Sequence, residues 1–245
     1  MTATWNCKST IVDCLNSIAQ QTYPLRQHIV VDGGSNDGTL ELLNLHREQI
    51  SNLVSEPDQG IYDALNKGIG LSAGEVIGFL HADDLYENKN VLAEVAAAFK
   101  DPAVSAVYGD LQYVKKENIF HVVRQWNSCA FSTQRLARGW MPPHPTLYVR
   151  REYYEKIGRF DLKYQISADY FSILQLFGIP NFKTIYLPRV LVKMRVGGIS
   201  NRSLRTIVRK SLEDWDALRR SGWSIIDAVT ALAWKNLSKT SQFFQ

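Results

Sequence analysis

The chain has 245 residues, 45% hydrophobic and 21% charged, which suits one large globular domain or a domain with an appendage and is too apolar for disorder. Its net charge of +4 is too mild to argue for nucleic acid. Cys7, Cys14 and Cys129 are odd in number and form no CxxC pair, so reduced thiols in a cytoplasmic protein are expected rather than disulfides or a zinc site.

From residue 10 onward, helix and strand patterns alternate. Ile11, Cys14, Leu15 and Ile18 recur at helical spacing after the cap candidates Ser9 and Thr10, and HIVVD (28–32) reads as a buried strand. Leu40, Leu43 and Ile50 mark a second helix, with NLVSE as a short strand. Ile61, Leu65 and Ile69 mark a third helix, closed by Gly74, before the strand EVIGFLH. The helix NVLAEVAAAFK then stops near Pro102, and VSAVYGD supplies another strand. This alternation predicts a mostly parallel central sheet with helices on both faces.

After Asp110 the rhythm changes. LQYV and IFHVVR flank the polar turn KKEN, which predicts a small antiparallel hairpin. Residues 126–146 read as loop, SADYFSILQLF (167–177) as a helix capped by Ser167, and FKTIYL as a last strand. Two helices close the chain, through Leu204, Val208, Leu212, Trp215 and Leu218, and through Ile225, Val229, Leu232 and Leu237.

From Ser200 onward eight basic residues (Arg202, Arg205, Arg209, Lys210, Arg219, Arg220, Lys235, Lys239) stand against four acids (Glu213, Asp214, Asp216, Asp227). A basic amphipathic tail over residues 201–245 suits peripheral contact with anionic lipid, although a solvated helical face is the commoner cause of such a run. No apolar run approaches the roughly 18 residues of a membrane-spanning helix, and no signal-peptide core precedes the first element.

Four stretches hold residues suited to chemistry. In VVDGGSNDGT (30–39), Asp32 ends a strand where glycines let a ligand approach the backbone, and a plain turn capped by Ser35 or Asp37 explains it about as well. The spacing is not GxGxxG, which disfavours a dinucleotide fold. SEPDQGIYDALNKGIG (55–70) gathers Asp58, Tyr62, Asp63, Asn66 and Lys67 around a helix start; the bland reading of Asp63 and Lys67 is a surface i, i+4 pair. GFLHADDLY ends a buried run in Asp83 and Asp84, hard oxygen ligands for Mg²⁺ or Mn²⁺ with a diphosphate, whereas simple capping explains Asp84 well. Asp169 lies in the first turn of its helix, as a general base or as ordinary helix-end electrostatics. HPT and GGIS are weaker signals: His144 reads as a substrate-positioning group or equally as a structural loop residue, and Gly197 with Gly198 as a mobile lid over phosphates or only a turn.

TATWN, QTYP, VVDGGSNDGT, SEPDQGIYDALNKGI, GEVIGFLHADD, VYGD and SADY, in this order and spacing, resemble bacterial family 2 glycosyltransferases with the GT-A fold, nearest to enzymes that build O-antigen, colanic acid and other surface polysaccharides. The resemblance covers residues 2 to about 200 and implies a GT-A domain over 1–200. It further implies inverting transfer of a sugar from a nucleotide-sugar donor, most often a UDP-sugar, to a hydroxyl of a polyprenyl-linked glycan at the cytoplasmic membrane face. By the same resemblance Thr4, Trp5, Asp32, Lys67 and His81 serve the nucleotide, Asp58, Tyr62, His144 and Gly198 the donor sugar or acceptor, Asp83 with Asp84 a divalent Mg or Mn ion, and Asp169 the proton transfer.

Two departures stand out. His81 occupies the place of the first acid of the DxD motif, and the chain starts inside what is a full hydrophobic first strand in the family, which is expected to leave the neighbouring sheet edge exposed. Two other readings stay open at this point: a non-catalytic or impaired nucleotide-sugar binding protein, and a nucleotidyltransferase. The second needs a Gly-rich basic loop that CKSTIVDC does not supply.

Overall fold

The computed structural model describes residues 1–197 and 204–241. In its first part, strands β1 (Thr2–Thr4), β2 (Ile29–Asp32) and β3 (Asn52–Ser55) alternate with helices α1 (Ile11–Ala19), α2 (Thr39–Leu45) and α3 (Ile61–Leu71). All three strands run parallel in the order β1-β2-β3. Helix α1 forms because its apolar residues fall on one stripe: Ile11, Cys14, Leu15 and Ile18 are all buried. Strand β2 is buried at every position, as expected of a central strand covered on both faces.

Next come β4 (Val76–Gly78), β5 (Asp84–Tyr86), α4 (Val91–Ala98), β6 (Val104–Val114), β7 (Val122–Trp126), α5 (Thr133–Ala137), β8 (Tyr148–Arg150), α6 (Arg151–Lys156), α7 (Ala168–Phe177) and β9 (Lys183–Arg195). The second sheet runs β4-β8-β6-β9-β5, with β7 paired to β6. Only β6 and β9 are parallel in it. The mostly parallel sheet read from periodicity therefore holds for the first part and gives way to a mixed sheet in the second. The short β8, and the continuation of FKTIYL into a 13-residue β9, leave no helical or strand period long enough to read.

The two sheets join through the first residue. The Met1 nitrogen donates to the Gly78 carbonyl at 2.8 Å, and the Met1 carbonyl accepts from the Leu80 N–H at 3.0 Å. The expected exposed edge is absent where it was placed, because Thr2, Ala3 and Thr4 pair with Val30, Val31 and Asp32. At Gly78 a side chain is excluded, since a Cβ there would lie 2.3 Å from the Tyr148 ring.

The last two helices, α8 (Leu204–Arg220) and α9 (Ile225–Ser241), do not form a tail apart. Ala217, Leu218, Ala228 and Ala231 are fully buried in the same core as Phe79, Tyr108 and Phe171, so the expected boundary at residue 200 does not divide two cores. Part of the basic excess is paired inside the protein. Asp214 receives both Lys210 and Lys235 at 2.9 Å, and Arg220 meets Asp161 at 2.7 Å.

Burial alone would raise the Asp214 carboxyl, but the Lys235 and Lys210 ammonium groups outweigh it and hold the acid below its ordinary value of 3.8. A depressed carboxylate contributes stability above its unfolded pKa and loses it as pH falls through the folded one. Asp214→Asn is therefore expected to cost about 3 kcal/mol in urea melts at pH 7, by leaving Lys235 buried without its counter-charge. That difference should shrink only as the pH is taken below 3.8.

Candidate active site

Open α/β sheets place their ligands beyond the carboxyl ends of their parallel strands, here the ends of β1, β2 and β3. Asp32, the last residue of β2, is fully buried. It accepts hydrogen bonds from the Ser35 N–H at 3.1 Å, the Ser55 hydroxyl at 2.7 Å and the Ser35 hydroxyl. The loop that follows is pinned to the β1–α1 connection, since Asn6 N–H donates to Ser35 Oγ at 2.8 Å and Lys8 N–H to Asp37 Oδ2 at 3.1 Å. Gly33 lets Asp58 approach closely, since a Cβ there would lie 2.5 Å from Asp58 Oδ2 and would force that carboxylate to move. Asp37 caps toward α2 through Thr39 N–H at 2.9 Å, as the turn reading expects. Beside this wall Trp5 is 62% exposed, and the buried Thr4 hydroxyl oxygen has no protein partner.

Asp58 closes its own turn, accepting from Gly60 N–H at 2.8 Å. Lys67 is held by Glu56 at 2.9 Å and Asp63 at 3.4 Å, which bears out the surface pair for Asp63. Asn66 is structural: its amide donates to the Phe160 carbonyl at 2.8 Å and its oxygen accepts from Phe160 N–H at 2.9 Å. Tyr62, on the buried side of α3, donates to the Ile166 carbonyl at 2.5 Å, with Asp169 Oδ1 at 3.2 Å. Burial, and then the Asp169 charge, push its phenol well above the usual range.

HADD is the turn between β4 and β5, closed by Asp84 N–H donating to the His81 carbonyl at 3.0 Å. The two acids separate there. Asp83 is half-buried, and its backbone carbonyl is held by Arg195 Nη1 at 3.1 Å. Asp84 is fully buried, with both carboxylate oxygens lacking a hydrogen bond, and burial, reinforced by the Asp83 charge, pushes its pKa well above the ordinary carboxylate value. Both its carboxylate oxygens are shielded from solvent, which sets Asp84 apart from an ion that must also meet phosphate and water.

His81 and His144 lie in a stack of rings. His144 packs on Phe79 at 5.5 Å and on His81 at 6.2 Å, with interplanar angles of 22° and 14°. Both His144 ring nitrogens and His81 Nδ1 are buried with no hydrogen-bond partner. Burial, then the neighbouring His144, push His81 down to about 4, and burial likewise lowers His144. Both rings are thus neutral at pH 7, although the Asp169 charge opposes each shift. Asp169 lies in the first turn of α7, its Oδ1 accepting from Tyr170 N–H at 2.8 Å and facing the Tyr62 hydroxyl. Ser167 stands at the cap position but makes no capping bond, and its buried hydroxyl has no partner. Gly198 lies outside the described residues.

Among the described residues no cluster of three or more His, Cys, Asp or Glu gathers. Asp83 fits a cation that takes most of its oxygens from phosphate and water, as Mg²⁺ does, because none of the hydrogen bonds or ion pairs found engages its carboxylate. Asp84 does not fit.

This architecture, a parallel nucleotide-type half and a mixed half meeting at an acid-bearing turn, is that of the GT-A glycosyltransferases. Residues 1–162 match the model of glycosyl transferase family 2, and the chain belongs to that family. It is 34% identical over 212 residues to a PGL/p-HBAD biosynthesis glycosyltransferase of Mycobacterium bovis, spanning 84% of this chain and 78% of that one. TarS 1–349 of S. aureus in complex with UDP-GlcNAc has a TM-score of 0.69 at 16% identity, over 96% of this chain and 70% of that one. A mannosyltransferase of Pyrobaculum calidifontis in complex with GDP-Man and Mn²⁺ has a TM-score of 0.65 at 20% identity, over 96% of this chain and 67% of that one.

Sequence reading missed Arg195 and Ser55, and named Ser35 only as a cap. Arg195 is buried at the end of β9 and reaches Asp13 at 2.5 Å as well as the Asp83 carbonyl. An arginine closing an apolar strand was its only signal. Tyr62→Phe removes one hydroxyl from the Ile166 carbonyl and Asp169, and is expected to cost about 1–2 kcal/mol in urea melts while leaving the circular dichroism spectrum unchanged.

Proposed function

We propose that this glycosyltransferase transfers a sugar, with inversion, from a UDP-sugar to a hydroxyl of a polyprenyl-linked oligosaccharide in surface polysaccharide assembly. The observation that supports this reading most is the grouping of Asp169, Tyr62, His144 and His81 in one electrostatically connected set beside Asp83. The solved structures it resembles were captured with UDP-GlcNAc or GDP-Man, which supports a nucleotide-sugar donor.

In this reading Trp5 offers an apolar face for the base, while Thr4 and Asp32 line the nucleotide pocket with Asp58 below it. Asp83 would hold a Mg²⁺ or Mn²⁺ ion, which would supply charge neutralisation to the leaving diphosphate. His81 and His144, stacked beside the turn, are assigned to the nucleotide and to the sugar or acceptor respectively, and their buried, unpartnered nitrogens reach a ligand only if the turn opens. Lys67, tied to two acids, contributes to the shape of the loop rather than to phosphate binding.

The acceptor oxygen attacks the anomeric carbon as the bond from that carbon to the diphosphate oxygen breaks on the opposite face. Nucleoside diphosphate leaves with the bonding pair, and the acceptor hydroxyl proton passes to Asp169. Oδ1 of Asp169 is engaged by Tyr170 and Tyr62, and no hydrogen bond is found on Oδ2, which leaves it for the acceptor. A single displacement of this kind inverts the anomeric centre.

Peripheral contact at the inner face of the membrane fits a lipid-linked acceptor. No described helix is long and apolar enough to cross a membrane. Its support is the exposed apolar set Val208 and Leu212 on α8 with Ile225, Ile226, Val229 and Trp234 on α9.

Screening UDP-, GDP- and dTDP-sugars by thermal shift with Mn²⁺ identifies the donor, because bound ligand stabilises with its occupancy. With that donor, Asp169→Ala is expected to lower turnover by about 100-fold or more while calorimetric UDP binding persists. Asp83→Ala is expected to remove the stimulation by Mn²⁺. Turnover surviving both changes would sink both role assignments, and UDP binding without turnover in the unaltered protein would favour a non-catalytic binding protein.

A further inference from the structure

One face of α8 grips the segment that leads into Asp169. Arg209 donates to the Gln165 side chain, Asp216 receives Lys163 Nζ at 2.9 Å and Tyr164 hydroxyl at 2.8 Å, and Arg220 reaches Asp161 at 2.7 Å. Between them Glu213 accepts from three consecutive backbone N–H groups: Gln165 at 3.2 Å on Oε1, and Ile166 at 2.8 Å and Ser167 at 2.9 Å on Oε2. Residues 209, 213, 216 and 220 are spaced as one helical face, so the whole face serves one loop of the chain.

The central contact is the one nearest the chemistry. Glu213 holds the N–H side of the 165–167 turn while the Tyr62 hydroxyl holds the Ile166 carbonyl from the α3 side. The same hydroxyl lies 3.2 Å from Asp169 Oδ1. With Ser167 making no capping bond, a carboxylate from another helix does what the local sequence does not: it satisfies backbone donors just ahead of α7. We infer that Glu213 is a positioning residue for Asp169, fixing the turn so that the carboxylate keeps both its bond to Tyr62 and a free oxygen toward the acceptor.

This rests on Asp169 being the base. Glu213 lies outside the residues matched by the family model, which end at 162.

The experiment compares Glu213→Gln, Glu213→Ala, Asp169→Asn and Asp216→Asn in the full chain, with the donor from the screen, UDP as the binding probe and thermal melting as the fold control. Glu213→Ala is expected to lower kcat by about 10-fold or more and to leave the UDP Kd within about twofold, so that the loss falls on turnover and not on donor binding. Glu213→Gln, which keeps one acceptor oxygen, should recover part of kcat. Asp216→Asn, on the same helix face but away from Ile166 and Ser167, should lower the melting temperature with kcat unchanged. A folded Glu213→Gln or Glu213→Ala with wild-type kcat overturns the inference, as does an equal fall in kcat for Asp216→Asn. Should Glu213→Ala not fold, Glu213→Gln alone decides by its kcat against its UDP Kd. If Asp169→Asn retains full turnover, it is the base assignment that fails; if Asp169→Asn is inactive and the Glu213 variants are normal, only the positioning role fails.

Discussion

The Tyr62 hydroxyl ties the two halves of the molecule together at the cleft. Tyr62 sits on α3 in the parallel half, and its partners Ile166 and Asp169 lie 104 and 107 residues later, at the start of α7. A buried hydroxyl must find partners, and here it finds one in each role: a backbone carbonyl that it fixes and a carboxylate that it faces. The aromatic neighbours make this contact rigid. Phe160 packs on Tyr62 at 5.5 Å and on Phe79 at 5.5 Å, and Asn66 latches the Phe160 backbone from the same helix that bears Tyr62. Through Phe79 the packing continues to His144 and His81, so one set of rings runs from Tyr62 to the HADD turn.

At the HADD turn the two acids are placed differently: Asp84 is fully buried at the start of β5, and Asp83 is half-buried. Burial, then the neighbouring His144, lowers the His81 pKa to about 4, which keeps that ring uncharged at pH 7. Arg195 acts on the turn from outside it, anchoring the Asp83 backbone and pairing with Asp13 on α1, so the geometry of the turn is set by the far end of β9.

The C-terminal helices look, in composition, like a charged appendage. In three dimensions many of their charges face inward. Lys210 and Lys235 converge on Asp214, and Arg209, Glu213, Asp216 and Arg220 all address residues 161–167. Outward on α8 and α9 stand both apolar side chains, Val208, Leu212, Ile225, Ile226, Val229 and Trp234 among them, and charged ones such as Arg219 and Asp227.

The sequence by itself determined the elements whose period is repeated over enough residues. Ile11 to Ile18, Ile61 to Ile69 and HIVVD became α1, α3 and β2, and the connecting turns put Asp32 and Asp58 at one end of the parallel sheet, because a strand–turn–helix unit fixes where its loop lies. It left undetermined β8 and α6, a three-residue strand and a six-residue helix too short to show a period, and the parallel or antiparallel sense of the second sheet. The roles of neighbouring polar residues were also beyond it. Asp83 and Asp84, or Asn66 and Lys67, are adjacent in the chain but differ in burial and partners, and those depend on residues such as Arg195, Phe160 and Glu56 that only folding brings near. Glu213 is the clearest case. Within an amphipathic helix it reads as one more solvated charge, and only the packing of α8 on α7 turns it into the acceptor for three backbone donors ahead of Asp169.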